Sequence, residues 1–193
     1  MNGRSDPAAV LLLGLRHADA PRMNIFLVGP MGSGKSAVGR QLAERLGLEF
    51  VDRDAEIEAR TGVDIPDIFE REGEAGFRAR EREVLDLLTR RECVLVATGG
   101  GAVLDADTRE RLRSRGCVVY LRTSVGQQLA RTRRSHSRPL LNTPDPRETL
   151  ERLMQQRSAL YDETADLTVD TDGRRVGTVV EEIERRLAAA RGR

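Results

Sequence analysis

The sequence predicts an α/β domain, a parallel β-sheet with helices on both faces, and three observations carry that expectation. From Met23 onward, apolar runs suited to strands alternate with helical patterns at intervals that fit βαβ units. The apolar runs are nearly continuous, as strands buried on both faces require. The first of them, Ile25-Phe26-Leu27-Val28, passes into Gly29-Pro30-Met31-Gly32-Ser33-Gly34-Lys35-Ser36 and then into a helical pattern with Val38, Leu42 and Leu46 on one face.

That glycine-rich stretch fits G-x-x-x-x-G-K-[ST] in the strand, loop and helix context the motif requires. Glycines let backbone N–H groups converge where a side chain would block a phosphate. The following helix adds its unpaired N–H groups and the positive end of its dipole. Gly32, Ser33, Gly34, Lys35, Ser36 and Ala37 are the expected triphosphate contacts, with Lys35 reaching the β- and γ-phosphates and Ser36 ligating Mg²⁺. A chance glycine-rich turn would have to place Gly, Gly, Lys and Ser at every required offset. The chain is expected to bind a nucleoside triphosphate.

A length of 193 residues fits one such domain. The charged residues, 33% of the chain, nearly cancel to a net +1, which gives no whole-protein attraction to nucleic acid or an anionic membrane. No apolar run is long enough to cross a bilayer as a helix. Cys93 and Cys117 each open an expected strand and show no C-x-x-C spacing, so both read as small buried hydrophobes in a reducing cytosol. Ahead of Met23, Ala8 to Leu15 is apolar and Ala18-Asp19-Ala20 resembles a cleavage site, but Asp6 and Arg16-His17 break a secretory signal. Residues 1–22 therefore read as a disordered extension, or as the result of an upstream start codon, and 23–190 as the single folded domain, working in an ATP-rich cytoplasm.

The remaining elements follow in order. A short strand, Glu49 to Val51, ends at Asp52-Arg53-Asp54; helical pieces then cover Ala55 to Arg60, Ile65 to Arg71 and Glu74 to Arg90, punctuated by Gly62 and Gly73. Cys93 to Ala97 is a strand running into Gly99-Gly100-Gly101, and a helix from Asp105 to Arg115 leads to the strand Cys117 to Leu121. Ser124 caps a helix to Arg133, and Arg134 to Pro146 is a proline-broken stretch of the kind that forms lids. A helix from Arg147 to Tyr161, a strand from Leu167 to Asp170 and a helix with Val176, Val179, Val180, Ile183 and Leu187 on one stripe complete the chain.

Ligands of open parallel sheets bind beyond the carboxyl ends of the strands, where the phosphate loop, Asp52 to Asp54 and Gly99 to Gly101 all fall. Extended geometry would aim Asp52 and Asp54 to one side, one supporting hydrated Mg²⁺ near Ser36, the other accepting a proton from a substrate hydroxyl. Alternatively, Asp54 caps a helix beginning at Ala55. The triple glycine offers bare backbone to a small substrate. Arg78 opens a charged helix, with Glu81 three residues on to hold its guanidinium. Arg131, Arg133, Arg134 and Arg138 cluster around His136 without interleaved aromatics, so an arginine-bearing lid over a triphosphate explains them better than a nucleic-acid patch. His136 itself reads as a solvated surface residue.

Taken together, these motifs resemble the shikimate kinase family over roughly Asn24 to Leu187: Gly29 to Ser36, Asp52-x-Asp54, Gly73-Glu74-x-x-Phe77-Arg78-x-x-Glu81, Thr98 to Gly101, Arg138-Pro139-Leu140-Leu141, and Arg157 before Tyr161. The resemblance implies a three-layer nucleoside-monophosphate-kinase-like fold with strand order 2-3-1-4-5, a substrate-binding segment over about 54–82 and a lid over about 134–146. It implies ATP-dependent phosphorylation of the 3-hydroxyl of shikimate in aromatic amino-acid biosynthesis, with Mg²⁺, by a monomer. By position, Asp54 would hold the hydroxyl, Arg78 and Arg157 the carboxylate, and Gly100 and Gly101 the pocket wall. Asp52 would support Mg²⁺ through water, Arg138 would descend with the lid, and Arg131 would lie against adenine. Two rivals stay open: a gluconate or nucleotide kinase of the same fold, and a nucleotide-driven switch that phosphorylates no metabolite.

Overall fold

The computed structural model describes residues 23–133, 139–141 and 143–191; the expected extension, and Arg134, His136 and Arg138 of the expected lid, lie outside the described residues. The elements are β1 (Asn24–Val28), α1 (Lys35–Leu46), β2 (Glu49–Asp52), α2 (Arg53–Thr61), α3 (Ile65–Thr89), β3 (Val94–Ala97), α4 (Ala106–Arg115), β4 (Gly116–Arg122), α5 (Val125–Thr132), α6 (Pro146–Thr164), β5 (Leu167–Asp170) and α7 (Val176–Arg191). Short 3₁₀ turns occupy Ala102–Leu104 and Pro139–Leu141.

All strand pairs are parallel, in the order β2-β3-β1-β4-β5, as the family resemblance implied. Strand side chains alternate faces, and the central strand shows what that does here. Ile25 and Leu27 meet Val38 and Leu42 of α1 and Val180 and Ile183 of α7 on one face. Phe26 and Val28 meet Ile57, Leu85, Leu88, Leu112 and Tyr161 on the other. Both faces are dry, which is why the run reads as unbroken apolar sequence. Each fully buried leucine or isoleucine contributes about 1.5–3 kcal/mol, so these two layers hold the sheet.

The helix starts separate structure from function. Asp52, Asp64, Asp105, Ser124 and Asp145 each accept a backbone N–H at the start of α2, α3, α4, α5 and α6, a bond worth ~1 kcal/mol. Helix α1 begins instead at Gly34, in the left-handed region at φ 96°, with no side-chain cap. Its first N–H groups are left for a ligand.

Several expectations need correction. Helix α2 starts at Arg53, and Asp52 rather than Asp54 caps it, because Asp52 at φ −91° and ψ 121° can turn its carboxylate onto the Asp54 N–H. By contrast, the two helical pieces expected over 65–90 are present: α3 consists of two helical segments that meet at Gly73, whose φ of 68° and ψ of −174° are not helical. Helix α6 is longer than expected at both ends, starting at Pro146 with its φ pre-set for a first turn. Cys93 and Cys117 are half-buried, not buried, and Cys93 precedes β3 in a turn with φ 57°. Val176 is exposed at the tip of α7, while Val179, Val180, Ile183 and Leu187 face the core.

Candidate active site

The carboxyl ends of β1, β2 and β3 converge, and two clefts open above them. One is lined by Gly32, Gly34, Lys35, Ser36, Ala37, Asp52, Asp54, Thr98, Gly99, Gly100 and Arg131, which brings together the phosphate loop and the strand-end acids. The second is lined by Arg53, Asp54, Ile65, Phe69, Phe77, Arg78, Gly100, Gly101, Leu140 and Arg157. They share Met31, Asp54 and Gly100. Asp54 thus stands at the junction, open to both.

In the phosphate cleft, Lys35 donates to the carbonyls of Gly29 and Pro30, both at 2.7 Å, and to Ser33 Oγ at 3.3 Å. The ammonium folds over its own loop. It is the one lysine among the 32 lysines and arginines of the chain, kept where a compact, rotatable point charge serves better than a planar fork. Ser36 Oγ donates to Asp52 Oδ2 at 2.5 Å, which puts two hard oxygen donors side by side at the mouth of the loop. The Ser33 side chain is fully buried under the loop. Arg131 lines this cleft, held by the carbonyls of Gly32 at 3.0 Å and Thr171 at 2.8 Å and by Thr171 Oγ1 at 3.2 Å.

The second cleft is cationic over an aromatic floor. Phe69 and Phe77 lie 4.6 Å apart, and the guanidiniums of Arg53 and Arg78 sit 5.2 and 5.3 Å from the centre of the Phe77 ring. Arg78 is held as its position three residues before Glu81 suggested, with Nη1 2.7 Å from Glu81 Oε2 and Nη2 3.0 Å from Glu74 Oε1. Burial pulls its pKa down, but the two acids outweigh that and raise it above the usual arginine value. Arg157 is 5% exposed. Its Nη1 donates to the Gly100 carbonyl at 3.3 Å, and its Nε has no partner among the described residues. Burial, joined by repulsion from Arg78 and opposed by Tyr161, holds its pKa below the usual range. Two neighbouring guanidiniums, one unsatisfied, call for an anion.

The triple glycine lines the clefts, Gly99 and Gly100 the first and Gly100 and Gly101 the second, and it also makes room for arginines. A Cβ on Gly99 would lie 1.2 Å from Arg53 Nη2, and one on Gly101 would lie 2.3 Å from Arg78 Nη1. Gly100 sits between the clefts, its carbonyl taking the Tyr161 hydroxyl at 2.5 Å, and Tyr161 stacks on Tyr120 at 4.9 Å.

Arg53 is the site group that sequence reasoning missed. The only signal was a basic residue wedged between two acids. A separate cavity of about 440 Å³ is lined by residues of α2 and α3, Ile57, Arg60 and Leu87 among them, and no expected site residue lines it.

A family model described as shikimate kinase matches residues 31–188. The chain belongs to the shikimate kinase family. A shikimate kinase from Halorhodospira halophila is 59% identical over 159 residues, 82% of this chain and 90% of its own length. The structure of shikimate kinase from Acinetobacter baumannii in complex with shikimate superposes with TM-score 0.88 at 48% identity, covering 91% of this chain and 98% of that one. A gluconokinase from Sinorhizobium meliloti shares the fold at TM-score 0.57 and 21% identity, covering 83% of this chain and 89% of that one, a likeness of fold alone. The matched span contains the residues that line both clefts. No helix among the described residues is long and apolar enough to cross a membrane.

Proposed function

We propose that the two clefts hold ATP and shikimate with the 3-hydroxyl of shikimate presented to the γ-phosphate at Asp54. The chain is a kinase of its family, and its reaction is ATP-dependent phosphorylation of shikimate. The observation that carries the site reading is that Asp54 alone among the acids lines both the phosphate cleft and the cationic one.

The chemistry of shikimate fits the second cleft. Its carboxylate matches Arg78 and the unsatisfied Arg157, its ring packs on Phe77 and Phe69, and Gly100 and Gly101 form the wall. With the acid anchored there, a ring hydroxyl reaches the junction, where Asp54 accepts its hydrogen bond and takes the proton as the oxygen attacks phosphorus. The new bond is from the shikimate oxygen to the γ-phosphorus. The bond that breaks joins that phosphorus to the β,γ-bridging oxygen, and its electrons leave on ADP. Such a transfer asks the protein mainly for positioning and charge neutralisation. Lys35 supplies positive charge to the β- and γ-phosphates once it swings off its loop carbonyls, and Gly32, Gly34, Ser36 and Ala37 offer backbone N–H groups.

Ser36 and Asp52 suit Mg²⁺, since paired hydroxyl and carboxylate oxygens beside a phosphate site are the donors that ion takes. When bound, the ion would neutralise phosphate charge. Arg131 would flank adenine. By its place in the family motif, Arg138 would add a guanidinium when the segment 134–146 closes, and the segment 54–82 would close on shikimate and exclude water. Cytoplasmic location and a monomeric state complete the proposal.

The test is ADP release with shikimate, gluconate and no acceptor, each at saturating MgATP. Stimulation by shikimate alone is expected. Equal turnover with gluconate, or none above the acceptor-free rate, would overturn the reading.

A further inference from the structure

Arg53 has no part in the mechanism so far, yet it is the most deeply placed charge of the acceptor cleft. Its side chain is 3% exposed, with Nη1 2.8 Å from Asp54 Oδ1 and Nη2 2.9 Å from Glu81 Oε1. Glu81, also 3% exposed, spends its other oxygen on Arg78 Nη1 at 2.7 Å. An alternating chain of charges therefore runs Asp54, Arg53, Glu81, Arg78. Its two ends are the groups assigned to the hydroxyl and to the carboxylate of the acceptor.

The surroundings show that this arrangement is built. Gly99 does not occupy the left-handed region, so its backbone does not demand glycine; the Arg53 guanidinium does, lying 1.2 Å from where a Cβ would be. The guanidinium is also expensive. Its Nε and Nη1 find no well-aligned hydrogen-bond acceptor among the described residues, and buried donors left this way weaken a fold. Apolar side chains commonly replace buried ion pairs without loss of stability. What an apolar residue could not do is touch two carboxylates from one planar fork.

We propose that Arg53 is a positioning residue for phosphoryl transfer: it fixes the Asp54 carboxylate at the junction and, through Glu81, sets its distance from Arg78. The proposal rests on Asp54 and Arg78 being the hydroxyl and carboxylate contacts of shikimate. Arg53 would thereby make the acceptor's two anchors a single rigid unit.

The experiment compares wild type, Arg53→Met, Arg53→Lys, Arg78→Ala and the double variant Arg53→Met/Arg78→Ala as full chains, in the ADP-release assay with shikimate. Thermal unfolding and ATP binding are measured on each. Arg53→Met keeps the stem but frees both acids, and kcat should fall ~10- to 100-fold, the scale of displacing a reacting group by about 1 Å. Arg53→Lys, which can hold one acid but not two, should recover part of the loss and serves if the methionine variant does not fold. The KM for ATP should stay within about threefold, since Arg53 does not line the phosphate cleft. The double variant should lose less than the product of the single losses, because either break severs the same chain. Unchanged kcat and shikimate KM in a folded Arg53→Met or Arg53→Lys would overturn the proposal, as would strictly multiplicative losses or an equal rise in the KM for ATP. A wild type that shikimate does not stimulate would remove the site reading and this proposal together.

Discussion

Replacing Arg157 with methionine isolates the carboxylate contact from the rest of the machinery. The arginine is nearly fully buried, makes one long bond to the Gly100 carbonyl and leaves Nε unspent. Methionine keeps most of the stem and, unlike a change at Arg78, leaves no buried acid without its partner. A hydrogen bond between charged groups is worth ~1.5–3 kcal/mol, so losing one such contact to shikimate should raise its KM ~10- to 150-fold. The effect should fall on KM while kcat stays within about threefold, because the contact is made before and during transfer alike. Relief of the repulsion from Arg78 should keep the substrate-free protein at least nearly as stable. The assay is steady-state ADP release with shikimate varied at saturating MgATP, repeated with ATP varied. An unchanged shikimate KM, or a KM for ATP rising in step with it, would refute the assignment.

Four further outcomes follow from the same geometry. Asp54→Asn should lower kcat ~10²- to 10⁴-fold by removing the proton acceptor; near-normal kcat would take Asp54 out of the mechanism. An amine-reactive ATP analogue should modify a single side chain, Lys35, the only lysine in the sequence, with protection by ATP; peptide mapping that found label with no ATP protection would place the triphosphate elsewhere. Tyr161→Phe, which strips the hydroxyl from Gly100, should cost ~1 kcal/mol and lower Tm by ~2–4 °C; an unchanged Tm would show that the bond contributes nothing. Hydrogen bonds from Arg115 and then Arg90 lower the Asp86 pKa to about 2. An unfolded aspartate titrates near ~3.9, so the stability this group adds is complete above that value and is lost as pH falls towards 2. Thermal unfolding of wild type and Asp86→Asn should differ at neutral pH and converge near pH 2; a gap that persists in acid would contradict the pairing.

How much was legible beforehand depended on how local each signal was. The phosphate loop is contiguous, so its residues and its cap-free helix start could be read directly. Arg78 and Glu81 are three apart on a helix, a spacing that brings side chains together. The central strands, buried on both sides, announced a parallel sheet. The start of α2 was misplaced because Asp54 is itself a good cap residue, and the dihedrals that let Asp52 take that role are not visible in the sequence. Gly73 was legible as a break, and its backbone at φ 68° and ψ −174° does separate the two helical segments of α3. The role of Arg53 depends on Glu81 and Gly99, distant in the chain, and no periodicity encodes such a meeting. For the same reason the arginines packed against Gly99 and Gly101 could not be read from the sequence.

The most direct measurement is a crystal structure with shikimate, Mg²⁺ and a non-hydrolysable ATP analogue together. The 3-hydroxyl is predicted within hydrogen-bonding distance of Asp54 and in line with the γ-phosphate, with the shikimate carboxylate on Arg78 and Arg157. A hydroxyl turned away from Asp54, or a carboxylate bound clear of both arginines, would contradict it.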